Sequence, residues 1–253
     1  MSQGFTKPPV TDFGLQVQRG LIPGVTFNNK FGRNQATATG DAIWASSTAY
    51  NEPATCELCN VASSDTNDTA AGTGARTISI TGINELYNIV TETLTLNGTS
   101  NVSTVNKYCN IHRAYVLTAG SGGTAAGNIT ITSTAAGTPA IGYIALGYNQ
   151  TQSTVYMVPD GYTAYVNLPN VSGQNTTANA LCDIGCFKKE FGGVYRIQMD
   201  FHLTGGVTAY MPKEFSAPIK FESKSIILFK CISASGGGTW DVAIDYDIWL
   251  VQN

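Results

Sequence analysis

Charged side chains are scarce in this sequence. Asp, Glu, Lys and Arg together make up 12% of its 253 residues, against about 25% in ordinary soluble domains. A free monomer usually keeps more surface charge for solubility, so a surface built from Thr, Ser, Asn and Gly favours a protein whose surface meets other subunits. The sequence has no run of Lys or Arg either, and we therefore expect no nucleic-acid partner.

Long apolar runs and helical periodicity are also missing. No stretch approaches the ~18 uninterrupted apolar residues of a membrane-spanning helix, and the first residues, MSQGFTKPPVTDFG, lack the apolar core of a secretory signal. We therefore expect no membrane partner, no secretory signal and no helix-rich fold.

Groups for acid–base chemistry are few. Nucleophilic catalysis needs a base beside the nucleophile, and the only histidines are His112 and His202, both inside predicted strands and neither in a Ser or Cys elbow. Asp245 and Asp247 share one strand face about 6.6 Å apart, which we interpret as a solvated face or a loose cation site. We expect no enzymatic activity and no cofactor.

Six cysteines call for a test of metal binding. Cys56 and Cys59, with Cys109 and His112, have the nominal spacing of a zinc site. However, residues three apart in a strand point to opposite faces, and neither pair has the tight turn that zinc ligands need. We therefore expect no metal and favour buried or free thiols. The alternative is a disulfide from Cys56 or Cys59 to a distant partner.

Short alternating segments separated by Gly, Asn and Pro turns dominate the rest of the chain, which is typical of antiparallel sandwiches and jelly rolls. We predict an all-β protein with an antiparallel, jelly-roll-like β-sandwich body over residues 51–253, and we leave open a division into two sub-sandwiches near residues 170–180. The predicted strands are 76–81, 89–96, 105–118, 127–132, 140–146, 154–158, 163–168, 180–188, 194–201, 208–210, 219–221, 225–232 and 240–251.

Residues 1–50 are punctuated by Pro and Gly too often for a helix or a long strand. Apolar side chains still recur there, and a solvated tail has little use for them. We predict an extended N-terminal arm that docks on a surface, with a disordered terminus as the alternative. Its predicted interface anchors are Phe5, Phe13, Leu15, Val17, Phe27 and Phe31.

The order of motifs resembles that of virion structural proteins from tailed phages, a group common in aquatic phages. The resemblance covers roughly residues 60–251 and leaves out residues 1–50, Cys56 and Cys59. It implies a virion component and supplies no catalytic motif. The blocks that carry it are NDTAAGTGAR (67–76), TETLTLNGT (91–99), residues 105–113, AYVLTAGSGGT (114–124), VYMVPDGYTA (155–164), FGGVY (191–195) and DVAIDYD (241–247).

Two functions of different class follow from this resemblance. The first is a capsid decoration or cement protein, whose arm ties neighbouring subunits together and whose partners are the major capsid protein and copies of itself, expected as a trimer by analogy. The second is a tail, collar or fibre-associated sandwich that binds host glycans through Tyr148, Tyr162 or Trp240. No heptad or shaft repeat is present, which favours the first function. Either function places the protein in the virion.

Overall fold

The structure, a computed structural model, describes residues 12–46, 48–213 and 217–253. One short helix and sixteen strands fill this part of the chain. They are α1 (Phe13–Gln18), β1 (Val25–Thr37), β2 (Cys59–Ser63), β3 (Ala75–Ile83), β4 (Ile89–Thr95), β5 (Val102–Ser103), β6 (Asn110–Ala119), β7 (Ile129–Ser133), β8 (Ala140–Ile144), β9 (Tyr156–Met157), β10 (Tyr162–Gln174), β11 (Leu181–Lys189), β12 (Tyr195–Thr204), β13 (Ala209–Pro212), β14 (Ile219–Phe221), β15 (Ile226–Ser235) and β16 (Trp240–Gln252).

The all-β prediction is confirmed, and every paired strand is antiparallel to its neighbours. The prediction of one jelly-roll-like sandwich is corrected: the strands form four separate sheets in a propeller-like ring. Consecutive strands pair in three of these sheets, whereas the first sheet is built from strands that are distant in the chain. The sheet orders are β1-β16-β10-β13 with β14 beside β10, β12-β11-β15-β9, β5-β2-β7-β8, and β4-β3-β6.

The largest core lies between the β1-β16-β10-β13 sheet and the β12-β11-β15-β9 sheet. Alternate residues of β16 point into it: Val242, Ile244 and Tyr246 are each at most 2% exposed. These residues share one face because side chains alternate along a strand. Strand β15 is buried on both faces over its first residues and occupies an interior position in its sheet.

A second core lies between the other two sheets and draws only on residues between Cys59 and Ile144. A smaller third cluster, which includes Trp44, Cys109 and Met157, joins the two larger ones. The division left open near residues 170–180 would fall inside the first core, because Val171 and Ala180 both pack there. The boundary between the two large cores comes earlier in the chain, after β8.

The predicted arm over residues 1–50 is also corrected. Residues 25–37 form β1, which pairs with β16 from Val25↔Val251 to Thr37↔Trp240. The Asn, Gly, Lys and Arg residues of this segment have low intrinsic strand preference, but pairing with β16 outweighs that preference. Among the described residues no helix is long and apolar enough to cross a membrane.

Candidate functional site

Helix α1 and β1 carry most of the predicted interface anchors. The Asp12 side chain caps α1 by accepting a hydrogen bond from the Gly14 backbone N–H at 2.9 Å. Val17 faces inward and is only 4% exposed. The rings of Phe13 and Phe27 both pack on Trp249 of β16, with centroids 5.5 and 4.9 Å away. These anchors therefore dock on the same chain. Phe5 lies outside the described residues.

Part of this segment keeps its apolar side chains in solvent. Phe13 is 55% exposed, Leu15 57% and Leu21 55%. We call these three side chains the N-terminal apolar surface. The remaining predicted anchor, Phe31, is half-buried under the guanidinium of Arg113, whose central carbon lies 5.3 Å from the ring centroid.

The proposed metal ligands do not come together as a donor set. Cys56 and Cys109 form a disulfide bond. Cys59 is a buried free thiol whose pKa is raised to about 12 by burial. The His112 ring bonds to the Met157 carbonyl at 2.7 Å and stacks on a tyrosine. The favoured prediction of buried or free thiols is therefore wrong for Cys56 and Cys109, and the alternative of a disulfide to a distant partner holds for Cys56. In the described ranges no group of three or more His, Cys, Asp or Glu could hold a metal ion.

The other free cysteines lie in the largest core. The Sγ atoms of Cys182 and Cys231 are 3.7 Å apart on neighbouring strands, and Cys186 is buried nearby. Burial raises the pKa of the Cys186 thiol. A buried thiol with a raised pKa carries little thiolate and is a poor nucleophile, so Cys186 is part of the packing.

His202 takes part in a surface network that resembles a catalytic triad only in its residue types. Its Nδ1 contacts Asp183 at 2.6 Å, and the Ser233 hydroxyl donates to the other oxygen of the same carboxylate at 2.6 Å. The carboxylate thus stands between serine and histidine, and the Ser233 hydroxyl bonds to this carboxylate and not to the imidazole. The bond to Asp183 raises the pKa of His202 above 6.5, which stabilises a surface ion pair.

The three aromatic residues predicted to contact glycans are not brought together. Trp240 is 1% exposed inside the largest core, so its predicted role is corrected. Tyr148 lies beside Arg33, which pairs with Ala243, whereas Tyr162 pairs with Gln252. Nine residues of extended strand separate these positions by about 30 Å. Tyr148 and Tyr162 therefore cannot share one sugar platform.

A cleft between β1 and β6 is the feature that the sequence did not indicate. It has a volume of about 440 Å³, and its wall includes Lys30, His112, Arg113 and Tyr156. Lys30 is 5% exposed, and its ammonium donates to the His112 carbonyl. Arg113 donates to the Asn29 carbonyl at 3.0 Å. Strand alternation could have placed Lys30 on an inward face, but no local signal links it to β6.

No protein-family model and no curated protein matches this chain. Two solved structures similar to it come from infectious bursal disease virus. The VP2 subviral particle is 13% identical, with 90% of this chain and 72% of that chain covered and a TM-score of 0.26. The structure of the Gt strain is 14% identical, with 96% and 83% covered and a TM-score of 0.24. At these values the likeness carries no argument about fold or function.

Proposed function

We propose that this chain is a structural, non-catalytic component of a virus particle, and specifically a decoration or cement protein on the head of a tailed phage. Its partners would be the major capsid protein and copies of itself, assembled as a trimer. The observation that carries the proposal is the N-terminal apolar surface, where three large side chains stay more than half exposed on a chain with 12% charged residues. The resemblance of its ordered motifs to phage virion proteins gives the setting.

The proposed mechanism is burial repeated over many copies. A fully buried large apolar side chain contributes about 1.5–3 kcal/mol. Since Phe13, Leu15 and Leu21 are already partly covered, covering the remainder would contribute roughly 2–5 kcal/mol per contact. That energy is modest for one contact, but a symmetric shell repeats each contact at every equivalent position.

The first test measures how many copies a particle holds. Quantitative mass spectrometry of purified virions would compare this protein with the major capsid protein. A coat protein should be present in on the order of hundreds of copies, because shell symmetry multiplies each site. A few copies to a few dozen would contradict the head position and favour the tail, collar or fibre alternative. Absence from the particles would refute the virion proposal.

The second test changes the N-terminal apolar surface by substitutions that leave the fold intact. Removing residues 25–37 would delete a strand of the sheet, so substitution is safer than deletion. We expect Leu15→Gln with Leu21→Gln to abolish co-sedimentation with head shells while leaving the thermal unfolding temperature unchanged. The matched control is Leu117→Gln with Leu146→Gln, two leucines of similar exposure in other strands and loops. Equal binding of both double variants would refute the role of the N-terminal apolar surface.

A further inference from the structure

The cleft between β1 and β6 holds two basic side chains with no anionic partner among the described residues. Neither Lys30 nor Arg113 has a carboxylate within 4.0 Å in the described part of the chain. Lys30 has three N–H donors and one recorded acceptor, the His112 carbonyl. His112 adds no charge, because burial and Lys30 lower its pKa to about 3. Burying unpaired positive charge is costly unless a partner arrives.

The same wall carries an unsatisfied hydroxyl. Tyr156 is 3% exposed, and its ring stacks on His112 with centroids 4.0 Å apart. Its buried hydroxyl has no hydrogen-bond partner among the described residues. A buried polar atom without a partner is costly and calls for an explanation. Tyr156 lines the cleft, but its hydroxyl is solvent-inaccessible and the residue belongs to the largest core, so the spare donors that the cleft offers are those of Lys30 and Arg113.

We propose that this cleft binds an organic carboxylate, and that the ligand is an acidic sugar of the uronic or sialic acid type. The carboxylate would accept hydrogen bonds from Lys30 and Arg113. This site is separate from the N-terminal apolar surface and does not depend on the proposed role in a virion.

The rest of the wall favours a sugar over a purely apolar acid. Phe27 and Phe31 contribute aromatic rings, on which the C–H face of a sugar can pack, and the exposed Asn28 and Asn29 line the same cleft with amides that bond to hydroxyls. Ligand sites commonly combine such apolar walls with a few converging polar groups in about 300–1,000 Å³. The cleft volume of about 440 Å³ lies in this range and accommodates one sugar unit.

The test is a titration of the full-length protein with methyl glucuronide and with methyl glucoside, followed by isothermal calorimetry and ligand-observed NMR. We expect saturable binding of the glucuronide with a Kd on the order of 1 mM, as its small size implies. The neutral glucoside should show at least about tenfold weaker binding, because it lacks the charge-assisted hydrogen bonds. N-acetylglutamate amide is the third ligand, since it supplies a carboxylate without a sugar.

Variants separate this site from the rest of the protein. We expect Arg113→Gln and Lys30→Met each to weaken glucuronide binding about tenfold or more. Tyr156→Phe, which removes a solvent-inaccessible hydroxyl, should leave glucuronide binding unchanged and the protein equally or more stable. Lys107→Gln, which removes a half-exposed cation paired with Glu57, is the matched control and should bind like the unchanged protein.

Three outcomes would overturn the inference. Equal affinity for glucuronide and glucoside would show that Lys30 and Arg113 do not recognise a carboxylate. Unchanged glucuronide affinity in Arg113→Gln, the half-exposed site least able to disturb folding, would place any binding elsewhere. Equal or tighter binding of N-acetylglutamate amide would refute the sugar as ligand, and the absence of saturation with all three compounds would refute the site.

Discussion

The disulfide between Cys56 and Cys109 should be a major source of stability for this protein. It joins the segment just before β2 to the segment just before β6, and so ties together two sheets that share the second core. The two cysteines are 53 residues apart in the chain. Cross-linking a loop of that length restricts the unfolded chain and should stabilise the folded state by about 4 kcal/mol at 25 °C.

The perturbation is the double variant Cys56→Ala with Cys109→Ala, compared with the unchanged protein in the presence and absence of dithiothreitol. A loss of about 4 kcal/mol lowers the melting temperature of a chain this long by roughly 8–16 °C. Differential scanning calorimetry measures this shift directly. The variant should melt at the temperature of the reduced protein and should not respond to dithiothreitol.

A thiol count checks the bond itself. Alkylation of the unreduced protein in denaturant, followed by mass spectrometry, should label four cysteines: Cys59, Cys182, Cys186 and Cys231. Labelling of all six would refute the assigned disulfide. A confirmed bond with equal melting temperatures for oxidised and reduced protein would refute the loop-entropy reasoning instead, and would mean that the unfolded chain is already restricted near these residues.

Two further predictions concern β1. Gly32→Ala should lower the free energy of unfolding in urea by about 1–3 kcal/mol, because the added methyl would lie 2.5 Å from the Ile43 carbonyl oxygen. Gly14→Ala, inside α1, is the control and should not lower the free energy of unfolding. An equal loss of stability in both variants would contradict the packing argument. Burial and Arg113 lower the pKa of Lys30 from 10.5 to about 7, so between these values the unfolded chain holds more protons and this group makes stability rise with pH. Lys30→Met should flatten that rise in urea unfolding at pH 7 to 10, and an unchanged slope would refute the lowered pKa.

The sequence predicted the strands whose own pattern reveals them. Strand β14 has the predicted bounds, and β16 differs from its predicted bounds by one residue. Strand β1 was missed because its residues have little intrinsic preference for strands, and only its pairing with β16 makes it one. The short strands β2 and β5 were missed for a related reason: five and two residues give too little alternation to recognise.

The candidate sites were less predictable than the strands. Two of the predicted anchors, Phe13 and Phe27, do make apolar contacts, but with Trp249 of their own chain. The donors in the cleft come from β1 and β6, and tertiary packing alone brings them together. Likewise, the sequence shows that Trp240 is an aromatic residue next to a turn, but its burial results from packing against another sheet.

The pairing of β1 with β16 has a consequence for the order of folding. Strand β1 is synthesised well before the strand to which it bonds, since Val25 pairs with Val251. Contacts between such distant residues form slowly because a long loop must close first. Until then the backbone donors and acceptors of β1 are unpaired and can join another strand. A nascent chain held in this state would be the form of the protein most prone to aggregate or to exchange strands with a second copy.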